Sequence, residues 1–160
     1  MIVLITKTDT MTASSMTPGT KTFEAQYIGR ETLTSYRSVR EQTDDTPFNT
    51  STGAHVRAGI VAVSRDLLCV NCRRLHERCA CPVGTGQLHY HDWIYIDGVG
   101  YFEVLDVMGS YTSHKVKGRW VRTPITNHLD IWVGSLAEEK AFEKRFRGTT
   151  TDIWKIEVKP

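Results

Sequence analysis

Residues 93–109 read WIYIDGVGYFEVLDVMG, and they decide the fold class. Two runs of apolar and aromatic residues flank the pentapeptide Ile-Asp-Gly-Val-Gly. Within it Asp97-Gly98 is a hairpin signal, because both residues tolerate the positive φ that tight turns require. The two runs therefore read as an antiparallel pair of strands. Outward from this hairpin the same texture recurs in FEAQYIG from Phe23, GIVAVS from Gly59, LDIWVG from Leu129 and DIWKIEV from Asp152. These are short alternating or wholly apolar segments parted by Gly, Asp, Asn and Pro, so the chain is predicted to be mainly β.

One segment departs from this texture. SLAEEKAFEKRF, from Ser135, is built of strong helix formers, and Ser135 with Glu138 three residues on matches a capping box. A helix of about three turns is predicted here. Its apolar face is expected to be Leu136, Phe142 and Phe146 with Ala137 and Ala141, packed on the sheet. The order is then many strands, one short helix and a last strand. No repeat of solenoid length is present, but the tripeptide Asp-Ile-Trp occurs at 130–132 and again at 152–154.

With 160 residues the chain fits one domain with its own core. Its 20 basic and 18 acidic residues leave a net charge of +2 with no long run of either sign, which argues against nucleic acid as a partner. No segment approaches membrane-spanning length, and the five-residue apolar run at the start is too short for a signal-peptide core. The chain is expected to be cytoplasmic at synthesis. Residues 7–22 are rich in Thr, Ser, Gly and Pro, so 1–22 read as a flexible leader and 23–160 as the folded domain.

A period of two groups Phe102, Val104 and Asp106 on one strand face and Tyr101, Glu103 and Leu105 on the other. The same rule groups Asp130 with Trp132, and Asp152 with Trp154, Ile156 and Val158. A carboxyl against apolar surface has its charged form disfavoured, which suits a proton donor near neutral pH. Aspartate at a strand end also serves turns and caps, and periodicity does not choose between the two.

Several segments, taken together and in order, resemble the three-aspartate (3D) domain. They are LTSYRSVREQTDDTPFNTSTG (33–53), GIVAVSRDLL (59–68), YIDGVGYFEVLDVM (95–108) and TNHLDIWVGS (126–135) followed by a helix. The elements in question are Thr-x-Tyr, Gln-Thr-Asp-x-Thr-Pro, Thr-Ser-Thr-Gly, Ala-Val, Gly-x-Gly and Asp-Ile-Trp. The family is similar to rare-lipoprotein-A-like proteins, expansins and the barrel of a lytic transglycosylase. The resemblance implies a six-stranded double-psi β-barrel with an aspartate-lined groove. It also implies cleavage of peptidoglycan glycan strands to a 1,6-anhydro product by a single carboxylic acid.

Carried over by motif, Asp130 is the expected acid/base and Asp106 its companion. Thr34, Tyr36, Gln42, Thr43, Asp44 and Thr52 fall at positions expected to line or support the groove. Asp44 and Asp45 equally suit a turn before Pro47. Where the family often has an aspartate after Ala-Val, this chain has Ser64, with Asp66 two residues on, as in a subgroup reading Ala-Val-Ser-Arg-Asp-Leu-Leu; Asp66 is either the third carboxylate or a structural residue. The stretch between Asp106 and Asp130 is longer than in the family. It reads either as a substrate-gripping flap carrying Tyr111, His114, Lys117, Arg119 and Trp120, or as an exposed basic hairpin. Two functions stay open: a peptidoglycan lytic transglycosylase acting at the cell wall or carried in a phage particle, and a non-catalytic barrel contacting cell wall or other phage structural proteins. No cofactor is expected for catalysis.

Residues 69–91 form a Cys/His-rich insertion relative to the family. The spacing Cys69-x2-Cys72-x6-Cys79-x-Cys81 can close a tetrahedral four-thiolate site for a structural zinc, with His76, His89 and His91 as alternative ligands. Two disulfides, or free thiols, are the competing readings.

Overall fold

A computed structural model of the chain describes residues 11–12, 22–39, 46–81 and 88–159. In chain order the elements are β1 (Met11–Thr12), β2 (Thr22–Tyr36), β3 (Ile60–Val63), α1 (Val70–Leu75), β4 (Trp93–Ile96) and β5 (Gly100–Val107). They continue with β6 (Tyr111–Val116), β7 (Arg119–Pro124), β8 (His128–Trp132), α2 (Leu136–Phe146) and β9 (Thr150–Lys159). β2, β3, β4, β5, β8 and β9 overlie the six segments whose texture marked them as strands. The Asp97-Gly98 turn joins β4 to β5 with Gly98 at φ 71°.

These six strands close a barrel. β2 is 15 residues long, and only a strand of that length can be flanked along one edge by β9 (Thr22–Thr32) and, in its second half, by β8 in parallel (Thr32–Tyr36). The ring then runs β8, β3, β5, β4 and β9, back to β2. Closure removes the bare sheet edges that would otherwise need covering. Leu33, Val61, Val63, Ile94, Ile96, Val104, Leu129, Ile131 and Ile153 are buried in one cluster that fills the interior. Each such aliphatic contributes about 1.5–3 kcal/mol by leaving water.

The pairing pattern repeats itself about an approximate two-fold. β2, β3, α1 and β4 make up one half, and β5, β8, α2 and β9 the other. The first strand of each half runs parallel to the second strand of its counterpart, as β2 does with β8 and β5 with β3. The two second strands meet antiparallel at Ala62 opposite Asp130. By this symmetry β8 corresponds to β3 and β9 to β4, so the two Asp-Ile-Trp segments are not equivalents of each other.

Two sequence expectations change. The register jumps from Val61↔Val104 to Ala62↔Asp106, so Leu105 is the extra residue of a β-bulge. Val104 points into the barrel while Asp106 turns outward, off the face that a strict period of two assigned it. In α2 the Ser135 hydroxyl accepts the Glu138 N–H at 3.2 Å, as a cap should, but it donates to Glu138 Oε2 at 3.0 Å in place of the reciprocal backbone bond. Phe142 and Phe146 pack on the barrel, whereas Leu136 is 48 % exposed and Glu139 is 6 % exposed. Glu139 is buried because Arg37 reaches it at 2.6 Å. A second apolar cluster of Val56, Ile60 and Leu105, with Ala54 and Trp132 against it, lies outside the barrel and seats the 46–56 loop.

Candidate functional site

Alternation along β8 buries Leu129 and Ile131 and turns His128, Asp130 and Trp132 outward. The same face of the neighbouring strands carries Thr34, Ala62 and, through the bulge, Asp106. Register sets these side chains in one row: Thr34 beside Asp130, Asp130 beside Ala62, and Ala62 beside Asp106. Ala62 presents only a methyl group between the two carboxyls, whose strands are two spacings or about 10 Å apart, and the Tyr36 phenol reaches over from β2 to Asp106. Both carboxyls line one open cleft of about 1060 Å³. Its walls are the 46–56 loop on one hand and the turn after β5 with the start of β6 on the other, and Arg65 and His76 also line it.

Asp130 accepts the Thr34 hydroxyl at 2.7 Å. Thr34 Oγ1 also lies 3.0 Å from His128 Nε2; with its own proton committed to Asp130, the hydroxyl receives the imidazole N–H there. Burial lowers the pKa of His128. Burial likewise pushes Asp130 up to about 6, with the negative charges of Asp106 and Glu139 adding to the rise and the Thr34 bond opposing it. Asp130 is therefore a carboxyl able to hold and release a proton near neutral pH.

Asp106 is bonded differently. Its Oδ1 accepts the backbone N–H groups of Ser51 at 2.9 Å and Val107 at 2.8 Å, and its Oδ2 accepts the Tyr36 hydroxyl at 3.2 Å. It ties the 46–56 loop to the barrel. Tyr36, which lines the cleft, has its phenol pKa raised by burial and by the charge of Asp106.

Of the residues expected at the groove, Thr34, Tyr36, Asp106 and Asp130 come together. Thr52 stands in the wall loop, where its hydroxyl bonds to Leu105 O at 3.3 Å and to Thr50 Oγ1 at 2.9 Å. Gln42, Thr43, Asp44 and Asp45 lie outside the described residues. Asp66 accepts the backbone N–H of Asn127 at 3.0 Å, holding the turn into β8. The sequence reading missed His128, although it stands two residues before Asp130 on the same face. It also missed Ser51, whose backbone N–H has no signature in a sequence. Between Asp106 and Asp130 the long stretch is an exposed hairpin, β6–β7, turning at Lys117 and Gly118. On one of its faces Arg122 stacks over Tyr111 at 4.5 Å and Lys115 over Trp120 at 5.6 Å, and Tyr111 continues into the cleft rim.

The cysteine-rich segment makes a second centre. No disulfide joins the four cysteines, and Cys69, Cys79, Cys81 and His89 offer ligand atoms within 4.8 Å of one another. This cluster could hold a metal ion. Cys72, at the heart of α1, is buried against Cys79, their sulfurs 3.3 Å apart. Of the other two histidines considered as ligands, His76 reaches Ser51 O at 3.2 Å and His91 bonds Glu103 at 2.8 Å.

No family model matches the chain, and no curated protein matches it. Among the described residues no helix is long and apolar enough to cross a membrane.

Proposed function

We propose that this chain is a peptidoglycan lytic transglycosylase on a double-psi β-barrel of the three-aspartate type, with Asp130 as its single acid/base. One observation carries the reading: a carboxyl with its pKa raised to about 6 lines an open cleft, with a second aspartate on the far side of the intervening strand at Ala62. The two-fold pairing pattern and the order of the motifs support the family assignment.

In the proposed step protonated Asp130 gives its proton to the glycosidic oxygen between N-acetylmuramic acid and N-acetylglucosamine, and the bond from that oxygen to C1 breaks. The carboxylate then takes the proton of the muramyl C6 hydroxyl, whose oxygen closes on C1. Asp130 ends as it began, and no water is consumed. Thr34 aims the carboxyl, and the charge of Asp106 offsets the positive charge developing on the sugar ring. Both oxygens of Asp106 are already engaged by Tyr36, Ser51 and Val107, which disfavours its use as the water-activating second carboxylate of a hydrolase. No cofactor enters this step, and a zinc held by the cysteine cluster would be structural. The exposed hairpin, with aromatic faces suited to sugar rings, extends the cleft toward a polymeric substrate.

The same hairpin favours a second reading, a non-catalytic barrel that contacts cell wall or neighbouring subunits in a phage tail or particle. Incubation of the purified protein with peptidoglycan, followed by mass analysis of the soluble products, separates the two. The enzyme reading expects 1,6-anhydromuropeptides from the wild type and none from Asp130→Asn. Products with ordinary reducing ends would assign a hydrolase, and no product from folded protein would leave the binding role.

A further inference from the structure

We propose that Cys69, Cys79, Cys81 and His89 hold one zinc ion with Cys72 outside the ligand set, and that this ion fixes the cleft wall through Ser51. The site does not depend on what the cleft does to its substrate.

Sulfur spacing points to a metal and away from disulfides. A tetrahedron with zinc–sulfur bonds of about 2.3 Å has sulfur–sulfur edges of about 3.8 Å, whereas a disulfide brings its sulfurs to about 2.0 Å. Cys69 Sγ lies 3.6 Å from Cys79 Sγ and 3.7 Å from Cys81 Sγ. These two edges match thiolates around one ion, and the third pair, Cys79 and Cys81, lies within 4.8 Å.

The fourth ligand declares itself by what it lacks. His89 is 2 % exposed, and neither ring nitrogen has a hydrogen-bond partner. A buried imidazole in that condition is costly, and a metal bond removes the cost. Behind it Asp92 Oδ2 lies 3.6 Å from His89 Nδ1, the place a carboxylate takes behind a metal-bound imidazole. Asp92 is itself clamped by Arg78 at 2.7 Å, by Lys155 at 3.2 Å and by the His89 backbone N–H at 2.8 Å. Nδ1 on the carboxylate side leaves Nε2 for the metal.

Cys72 has a different task. Its sulfur accepts the Cys79 backbone N–H at 3.2 Å and is fully buried in the barrel-side core. It shapes the turn that delivers Cys79 and stays outside the group whose ligand atoms are mutually close.

Ser51 receives contacts from the metal-bearing segment on two sides. His76, which ends α1 at φ 57°, reaches Ser51 O at 3.2 Å, and Tyr90, next to His89, bonds Ser51 Oγ at 2.9 Å. The Ser51 N–H in turn donates to Asp106 at 2.9 Å. An ion that locks Cys69, Cys79, Cys81 and His89 locks the flanks that hold Ser51.

The test uses the full chain purified from zinc-supplemented cells. One zinc per chain is expected, with three sulfurs and one nitrogen around it by X-ray absorption. Cys72→Ser should keep the ion, while Cys79→Ser and His89→Ala should weaken zinc binding at least tenfold. Removal of zinc by a chelator should speed hydrogen exchange of the Ser51 amide at least tenfold and leave the β2–β9 amides unchanged. A chain without zinc, a four-sulfur shell, or loss of zinc from Cys72→Ser overturns the ligand set. Unchanged Ser51 exchange after chelation overturns the link to the cleft. Where variants fail to fold, the absorption spectrum of the wild type decides. Neither readout involves glycan cleavage, so failure of the enzyme reading leaves both intact.

Discussion

Asp130 opens Asp-Ile-Trp in β8 and Asp152 opens it in β9, and in both copies the isoleucine is buried in the barrel core. Their neighbours across the sheet differ. Asp130 lies between Thr34 and Ala62, a hydroxyl and a methyl, and no cation reaches it among the ion pairs of the described residues. Asp152 lies opposite Arg30, whose guanidinium is 3.8 Å away, and accepts the Tyr27 hydroxyl at 2.9 Å. Trp154, two residues on, is buried beneath aromatic neighbours, its ring 5.6 Å from Tyr27 and 5.9 Å from Tyr95. Identical tripeptides thus give one carboxyl kept near its titration point and one committed to a surface pair. The chemistry of a strand aspartate is set by the strands on either side more than by the residues before and after it.

The largest way to break this contrast is to neutralise each carboxyl in turn. Asp130→Asn should cut release of 1,6-anhydromuropeptides by about 10³-fold, in the range of a lost general acid, while Asp152→Asn should change the rate by less than about twofold. Equal losses in the two variants would erase the distinction.

Stability should move the other way. The folded pKa of Asp130 is raised to about 6, so the native state keeps a proton that the unfolded chain releases near pH 4, and stability falls as pH climbs between these values. Asp130→Asn removes that loss, so urea melts at pH 8 should show the variant more stable by about 1–3 kcal/mol, with the gain vanishing at pH 4. Asp152→Asn, which loses a surface pair and an exposed hydrogen bond, should destabilise by about 1 kcal/mol or less. A destabilised Asp130→Asn at pH 8 would count against a strained acid.

Thr34→Val sharpens the contrast from within the row. Its hydroxyl opposes the rise in the pKa of Asp130, so removing it should move the alkaline limb of the activity profile upward by about half a unit to one unit. A downward move would contradict the bond. The smallest effect belongs to Tyr27→Phe, which strips Asp152 of its phenol partner; thermal melts should register about 1 kcal/mol, with glycan cleavage untouched.

Much of the barrel was legible in the sequence because its strands announce themselves locally. Asp97-Gly98 and the apolar runs beside it need no distant information, and Ser135 marks a helix start through its own hydroxyl. Asp106 shows where this ends. Alternation counted along its own strand groups it with Val104, but the bulge at Leu105 turns it to the other face, and that bulge exists only against the register of β3. Glu139 is similar, since it is buried for the sake of Arg37, a residue at the far end of the sequence from α2. His89 is an intermediate case: the sequence offered it beside His76 and His91 as an alternative ligand, and only folding brings its ring, of the three, beside the sulfurs.

The way β2 meets β9 also governs how the chain can reach its native state. Their ladder runs from Thr22↔Lys159 to Thr32↔Thr150, so the first long strand waits for the last one. During synthesis, at roughly 5–20 residues per second, β2 and β4 each keep a bare edge until β9 has emerged. Contacts this remote in sequence place the protein among slow folders. A nascent chain stopped after α2 is thus a sheet with two open edges, able to pair with its own copies. β9 is the element whose arrival ends that hazard.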